Sequence, residues 1–189
     1  MTINGGDLQL VLGTMFSGKT TYLLSEITKL SVLNYRILYV NINYDTRSSI
    51  SFSTHNPFLS QTEPLSDAVD MIKSGTLLDL NINMYDIIVV DESHFFGDLV
   101  EFVHKCLDAK KSVIVSGLIA DSNGRKFGHT LDLIPICTDI IRLKAYCTEC
   151  AKRRVCRIAT YSKRIVQTEN TVDIGGCEKY VPVCREHYL

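Results

Sequence analysis

Along residues 1–145, short apolar runs alternate with longer stretches of helical spacing. Residues 8–12 (LQLVL) read as a strand. Residues 20–33 follow as a helix, because Leu23, Leu24, Ile27 and Leu30 recur at the spacing that lines one helical face. Residues 36–42 form a second strand. Residues 43–64 are rich in Ser, Thr and Asn, contain Pro57 and Pro64, and read as a long loop of the functional or mobile kind. Residues 65–75 read as a helix. Residues 85–90 read as a strand whose unbroken Ile87-Ile88-Val89-Val90 run marks it as parallel and buried on both faces. A helix over 98–109 and strands over 112–117 and 139–145 complete the pattern. Strands separated by helices predict an α/β fold, a parallel sheet with right-handed crossovers.

Composition narrows the class. The chain has 189 residues, 46% of them hydrophobic and 22% charged, with a net charge of -1, which fits a globular protein and excludes a disordered one. The balanced charge gives no whole-chain argument for nucleic-acid binding. No apolar run approaches the ~20 residues of a membrane span. The polar start, Met1 to Asp7, is not that of a secretory leader. The seven cysteines cannot all pair, so metal ligation or free thiols are favoured over a disulfide framework. None precedes Cys106, and five lie between Cys147 and Cys184. That shift divides the chain into an α/β domain, residues 1–145, and a small cysteine-bearing domain, residues 146–189.

The chemistry begins where the first strand meets the first helix. Gly13-Thr14-Met15-Phe16-Ser17-Gly18-Lys19-Thr20 fits the phosphate-cradling pattern G-x-x-x-x-G-K-[ST] at every fixed position. Its glycines let backbone N–H groups turn toward phosphate oxygens, and the following helix points its positive end at the same anion. Lys19 reaches the β- and γ-phosphates, and the Thr20 hydroxyl suits Mg²⁺. The buried strand ends in Asp91-Glu92, at the carboxyl edge where open α/β sheets bind ligands. Asp91 suits the Mg²⁺ shell, and Glu92 suits proton removal from an attacking hydroxyl or water. This is a P-loop nucleotide-binding protein, with a kinase and an NTPase switch both open. No Asn-Lys-x-Asp string of the guanine-reading type occurs.

Cys147-Thr148-Glu149-Cys150 and Cys184-Arg185-Glu186-His187 form a C-x₂-C and a C-x₂-H pair. Four such ligands in two close pairs suit a closed, structural tetrahedral Zn²⁺ site. Cys156 lies too far from either pair for a knuckle, and Cys106, Cys137 and Cys177 read as buried apolar groups or free thiols. Lys152, Arg153, Arg154, Arg157, Lys163 and Arg164 form a local basic cluster, read as a solvated face or an anion contact.

The P-loop octet, Asp45-Thr46-Arg47, Asp91-Glu92-Ser93-His94-Phe95-Phe96, the first cysteine pair, Tyr161-Ser162-Lys163-Arg164, Gly175-Gly176, Lys179-Tyr180 and Val183-Cys184-Arg185 occur in this order. Together they resemble the type II thymidine kinases, the cellular, bacterial and poxviral family, along essentially the whole chain. The resemblance implies transfer of the ATP γ-phosphoryl group, with Mg²⁺, to the 5′-hydroxyl of thymidine. Such an enzyme makes thymidine monophosphate for DNA synthesis. It implies Glu92 as general base, Asp91 and Thr20 on Mg²⁺, and Arg47 with Asp45 near the phosphates. Met15, Phe95, Leu118 and Phe127 would line the base pocket, with Ser162 facing the base. The segment from Lys163 to Ile174 resembles a lasso loop closing over the nucleoside, so Thr171, Asp173, Ile174, Gly175 and Tyr180 join the nucleoside contacts. Structural Zn²⁺ would anchor that lasso, making the second domain a zinc-binding lasso domain. A cytoplasmic homotetramer inhibited by thymidine triphosphate, with no nucleic-acid or membrane partner, is also implied.

The chain departs from the family pattern at four places. His94 stands for a common Gln, Ser122 for an aromatic packing on the base, Asp173 for an apolar lasso residue and His187 for a fourth cysteine. A neutral His94 would make the amide's hydrogen bond. The Ser122 departure motivates a broader deoxynucleoside specificity as an alternative. A P-loop NTPase with a nucleic-acid-binding zinc module is a second alternative, and a non-catalytic nucleotide-binding protein a third.

Overall fold

The computed structural model describes residues 5–43, 67–166 and 178–189. Within them six parallel strands build one sheet: β1 (Leu8–Gly13), β2 (Ile37–Ile42), β3 (Val69–Ser74), β4 (Ile87–Val90), β5 (Ser112–Leu118) and β6 (Asp139–Arg142), in the spatial order β3-β2-β4-β5-β1-β6. Every residue of the four central strands is buried, whereas β3 and β6 are partly exposed edges. This accounts for the unbroken apolar run of β4: both faces are covered, so both sets of alternating side chains favour apolar groups.

The two faces carry separate cores. Helix α1 (Lys19–Ser31) places Leu23, Ile27 and Leu30 against Val11, Tyr39, Val89 and Ile114. Helix α2 (Leu99–Asp108) covers the opposite face, with Leu99, Phe102, Val103 and Cys106 against Leu10, Val40, Ile88 and Val115. Neighbours in sequence such as Leu10 and Val11 thus serve different cores, as strand alternation requires.

Two sequence expectations are corrected. Residues 65–75 were expected to be helical, but Val69–Ser74 is the edge strand β3, paired in register with β2. Val69 and Met71 alternate inward onto the α1-side core, and a six-residue run is too short for periodicity to separate helix from strand. The strand expected over 139–145 divides. Asp139–Arg142 joins the main sheet as β6, while β7 (Ala145–Tyr146) pairs antiparallel with β8 (Ile158–Ala159) in a separate ribbon.

The C-terminal elements are short: β7, α3 (Thr148–Lys152), β8, β9 (Tyr161–Arg164), β10 (Tyr180–Val183) and α4 (Arg185–Tyr188). β9 and β10 form an antiparallel pair. Their shared core holds Ala145, Cys147, Cys150, Ala159, Val183 and Cys184, half of it thiols. Among the described residues this is little apolar area for a segment of this size.

Candidate active site

Because all six strands of the main sheet run parallel, their carboxyl ends share one edge. The turn after β1, the acids after β4 and the end of β5 therefore converge. The turn is shaped by Gly13 and Gly18. A Cβ at Gly13 would overlap Ser17 and stand 3.0 Å from the Leu143 carbonyl oxygen, and Gly18 adopts a left-handed φ of 85°. Phe16 is also left-handed, with a φ of 60°. The Lys19 Nζ donates to the Thr14 carbonyl at 3.0 Å, and burial lowers its pKa against the opposing pull of Glu92 and Asp91. Among the described residues, the buried hydroxyl oxygens of Thr14 and Ser17 have no hydrogen-bond partner. A turn with orphaned hydroxyls, a buried ammonium and a helix N-terminus fits a bound polyphosphate.

Asp91 follows the last apolar residue of β4 and is only 1% exposed. The Thr20 hydroxyl donates to its Oδ2 at 3.1 Å and the Tyr39 hydroxyl at 3.0 Å, while the Glu92 N–H donates to Oδ1 at 2.9 Å. Burial, and then the neighbouring Glu92, raise the Asp91 pKa. The Thr20 hydroxyl and Asp91 carboxylate, touching at the mouth of the turn, are the oxygen donors that suit Mg²⁺. Tyr39 carries no sequence signal of its own; only strand pairing brings it there. Glu92 leaves the strand with φ 49° and ψ 37°, a left-handed conformation that costs a non-glycine residue roughly 1–2 kcal/mol. Its carboxylate emerges 21% exposed, beside a neighbour that is buried. Two adjacent acids thus meet different environments, which suits them to different work.

His94 is buried behind Glu92. Its Nδ1 accepts the Leu118 N–H at 3.3 Å, and its Nε2 lies 3.5 Å from Glu92 Oε2. Phe95 and Phe127 pack against its ring at a tilt, with centroids at 4.3 and 4.6 Å, and meet each other edge-on at 5.6 Å. Leu118, at the end of β5, meets the His94 ring through its backbone N–H.

Met15 meets the C-terminal hairpin: its N–H donates to Ser162 Oγ at 3.0 Å, so the Ser162 side chain reaches the turn backbone. Tyr180, on β10, takes a hydrogen bond from Arg164 at 3.1 Å. At Ser122 the chain uses backbone rather than an aromatic: the Tyr188 hydroxyl donates to the Ser122 carbonyl at 2.9 Å. Tyr188 also stacks on Tyr161 at 4.2 Å, which the sequence did not suggest. Asp45, Thr46, Arg47, Thr171, Asp173, Ile174, Gly175, Gly176 and Cys177 lie outside the described residues.

The predicted metal ligands do come together. Donor atoms of Cys147, Cys150, Cys184 and His187 all lie within 4.8 Å of one another. His187 Nδ1 is 3.5, 3.5 and 3.3 Å from the three sulfurs, and Cys150 Sγ is 3.9 Å from Cys184 Sγ. Bond lengths of about 2.3 Å to sulfur and 2.05 Å to nitrogen make a tetrahedron with edges of about 3.8 and 3.6 Å. The cluster therefore has the dimensions of a Cys₃His metal site. Cys156 is exposed. Cys106 is fully buried, and burial pushes its thiol up to about 12. Four of the six basic residues are engaged: Lys152 with Glu149, Arg157 with Glu186, Lys163 with the His187 carbonyl and Arg164 with Tyr180.

Burial, assisted by Lys19 and opposed by Asp91, lowers the His94 pKa from 6.5 to about 3. Unfolding exposes the ring, which then takes a proton below about 6.5 that the folded ring refuses. Between about 6.5 and 3 the unfolded state thus binds one more proton, and this site lowers stability by roughly 1.4 kcal/mol per pH unit as pH falls. Urea titrations should show His94→Gln losing less stability than wild type between about pH 6.5 and 5. Parallel losses would mean that His94 titrates alike in both states.

A family model described as thymidine kinase matches residues 6–188. The chain is 34% identical over 184 residues to the cytosolic thymidine kinase of Bos taurus, spanning 97% of this chain and 72% of that one. It is equally identical to the cytosolic thymidine kinase of Homo sapiens, over 97% of this chain and 74% of that one. Against the thymidine kinase of Variola virus, identity is 31% over 188 residues and 99% of both chains. Among solved structures, the flagellar accessory protein FlaH from Methanocaldococcus jannaschii is similar with a TM-score of 0.50 and 18% identity, over 77% of this chain and 74% of that one. That likeness speaks for the fold alone. The family match and the full-length relatives place this chain in the thymidine kinase family.

Proposed function

We propose that the chain transfers the γ-phosphoryl group of ATP to the 5′-hydroxyl of thymidine, with Glu92 as the base. The observation that carries this reading is the apposition of Lys19 and Thr20 with Asp91 and Glu92 across one sheet edge, Thr20 bonding Asp91 at 3.1 Å. The backbone of residues 13–20 and the Lys19 ammonium hold the triphosphate. Thr20 and Asp91 hold Mg²⁺, which when bound neutralises charge on the phosphates and aligns the γ-group. Glu92 takes the proton of the 5′-hydroxyl as its oxygen attacks phosphorus and the ADP oxygen leaves. A hydroxyl is a poor nucleophile at neutral pH, so a base within hydrogen-bond reach is needed. Met15, Phe95, Leu118 and Phe127 form the apolar wall for the thymine ring.

Residues 146–189 work as a separate structural domain against the first 145, with Zn²⁺ in the Cys₃His cluster. The domain's thiol-rich core and the tetrahedral edges support this. The described basic residues, largely engaged within the domain, do not favour a nucleic-acid surface. By family resemblance the enzyme is a cytoplasmic homotetramer inhibited by thymidine triphosphate, and residues 163–174 close over the nucleoside. Arg47 and Asp45 complete the phosphate site in this reading.

With ATP, Mg²⁺ and thymidine, the wild type should form thymidine monophosphate, and Glu92→Gln should lose about 10²–10⁴-fold in rate. Wild-type-like turnover by the variant would remove Glu92 as base. No product from thymidine, with ATP still consumed, would remove the substrate. Elemental analysis should find about one zinc per chain, and Cys150→Ser should lose it. A metal-free wild type that folds fully would contradict the zinc site.

A further inference from the structure

A backbone amide can only donate, so the Leu118 N–H at 3.3 Å requires a lone pair on His94 Nδ1. In a neutral ring the proton then sits on Nε2, the nitrogen 3.5 Å from Glu92 Oε2. This tautomer is assigned from the hydrogen-bond network. The ring has little freedom to turn away. Its side chain is 1% exposed, and Phe95 and Phe127 pack on it. The Gly128 backbone, at a φ of 60°, presses so close to the His94 carbonyl that a Cβ there would overlap it. The other charges bearing on the ring are Lys19 and Asp91.

We infer that His94 is a positioning residue for Glu92: its Nε2–H, 3.5 Å from Oε2, draws the carboxylate toward one position, while Nδ1 anchors the same ring to the backbone at Leu118. The inference rests on Glu92 being the base. Leu118 belongs to the wall for the nucleoside base, and Glu92 must face the 5′-hydroxyl of the same molecule. One rigid imidazole therefore fixes the base relative to the surface that places the acceptor. A glutamate side chain has three rotatable bonds, and a fixed donor selects the rotamer aimed at the hydroxyl. The cost of misplacement falls on turnover, because a base only slightly out of line loses rate steeply. Glutamine can make both bonds, its carbonyl accepting from Leu118 and its amide donating to Glu92; leucine can make neither.

The test is kcat and thymidine KM for His94→Gln and His94→Leu, each with Glu92 intact and with Glu92→Gln. Expected are near-wild-type kcat for His94→Gln, within about threefold, and a loss of about 10–100-fold in kcat for His94→Leu at unchanged KM. In the Glu92→Gln background, His94→Leu should cost little more, because its effect acts through Glu92. Equal losses in both backgrounds, or full kcat in His94→Leu, would overturn the positioning role. Full activity in Glu92→Gln alone would instead overturn the base assignment on which it rests. Should His94→Leu fold poorly, ¹⁵N-histidine NMR of the wild type decides, with His94→Gln assigning the signal. A ring protonated only at Nε2 near pH 7 supports the inference, and a proton on Nδ1 overturns it.

Discussion

A carboxylate at the end of a fully buried strand is the constraint on which the rest of the site depends. β4 offers four apolar residues covered on both faces, and Asp91 follows them without reaching solvent. An isolated charge there would be prohibitively costly, so polar partners must come to it. They include Thr20 from the start of α1 and Tyr39 from the neighbouring strand. Lys19 lies among the same acids. The chain must then reverse at once, and the left-handed Glu92 lifts the second acid out of the sheet. One buried carboxylate thus organises the glycine turn, the Thr20–Asp91 oxygen pair and the emergence of Glu92.

The C-terminal module reaches this edge through two specific contacts. Ser162 accepts the Met15 N–H within the phosphate turn, and Tyr188 holds the Ser122 carbonyl in the segment leading to Phe127. Both contacts arise from elements packed around the Cys₃His cluster. Within the module, Lys163 ties β9 to α4 by donating to the His187 carbonyl at 2.7 Å. A metal held in the cluster would therefore bear on the phosphate turn, because the cluster positions the strand and helix that touch it. His187 in place of a fourth thiol keeps the donor geometry while leaving one less negative charge.

Much of this was legible in the sequence because the signals were local. The octet from Gly13 to Thr20 fixes a strand, a turn and a helix within a few residues. The acids after Ile87–Val90 announce the sheet's carboxyl edge, and the cysteine pairs carry their own spacing. What was not legible depends on pairing at a distance. Val69–Ser74 became a strand because β2 needed a neighbour, and six residues of mixed character could not declare that. Tyr39 looks like any aromatic in a buried strand, and only the sheet order brings it to Asp91. Ala145 reads from the sequence as the end of one strand begun at Asp139, yet it pairs with Ala159, because the chain turns away after Arg142. His94 could be read as a neutral substitute for an amide, but its link to Leu118 needed β5 beside the acids.

The central claim is that the buried Asp91 charge is kept for a metal-bound triphosphate. It is tested most directly by ATP affinity, with and without Mg²⁺, in wild type and Asp91→Asn. Asparagine keeps an acceptor for Thr20 and Tyr39 but carries no charge. The account predicts that Mg²⁺ strengthens ATP binding in the wild type and loses most of that effect in Asp91→Asn, while metal-free ATP binding is not weakened. An undiminished Mg²⁺ effect in the variant would contradict it.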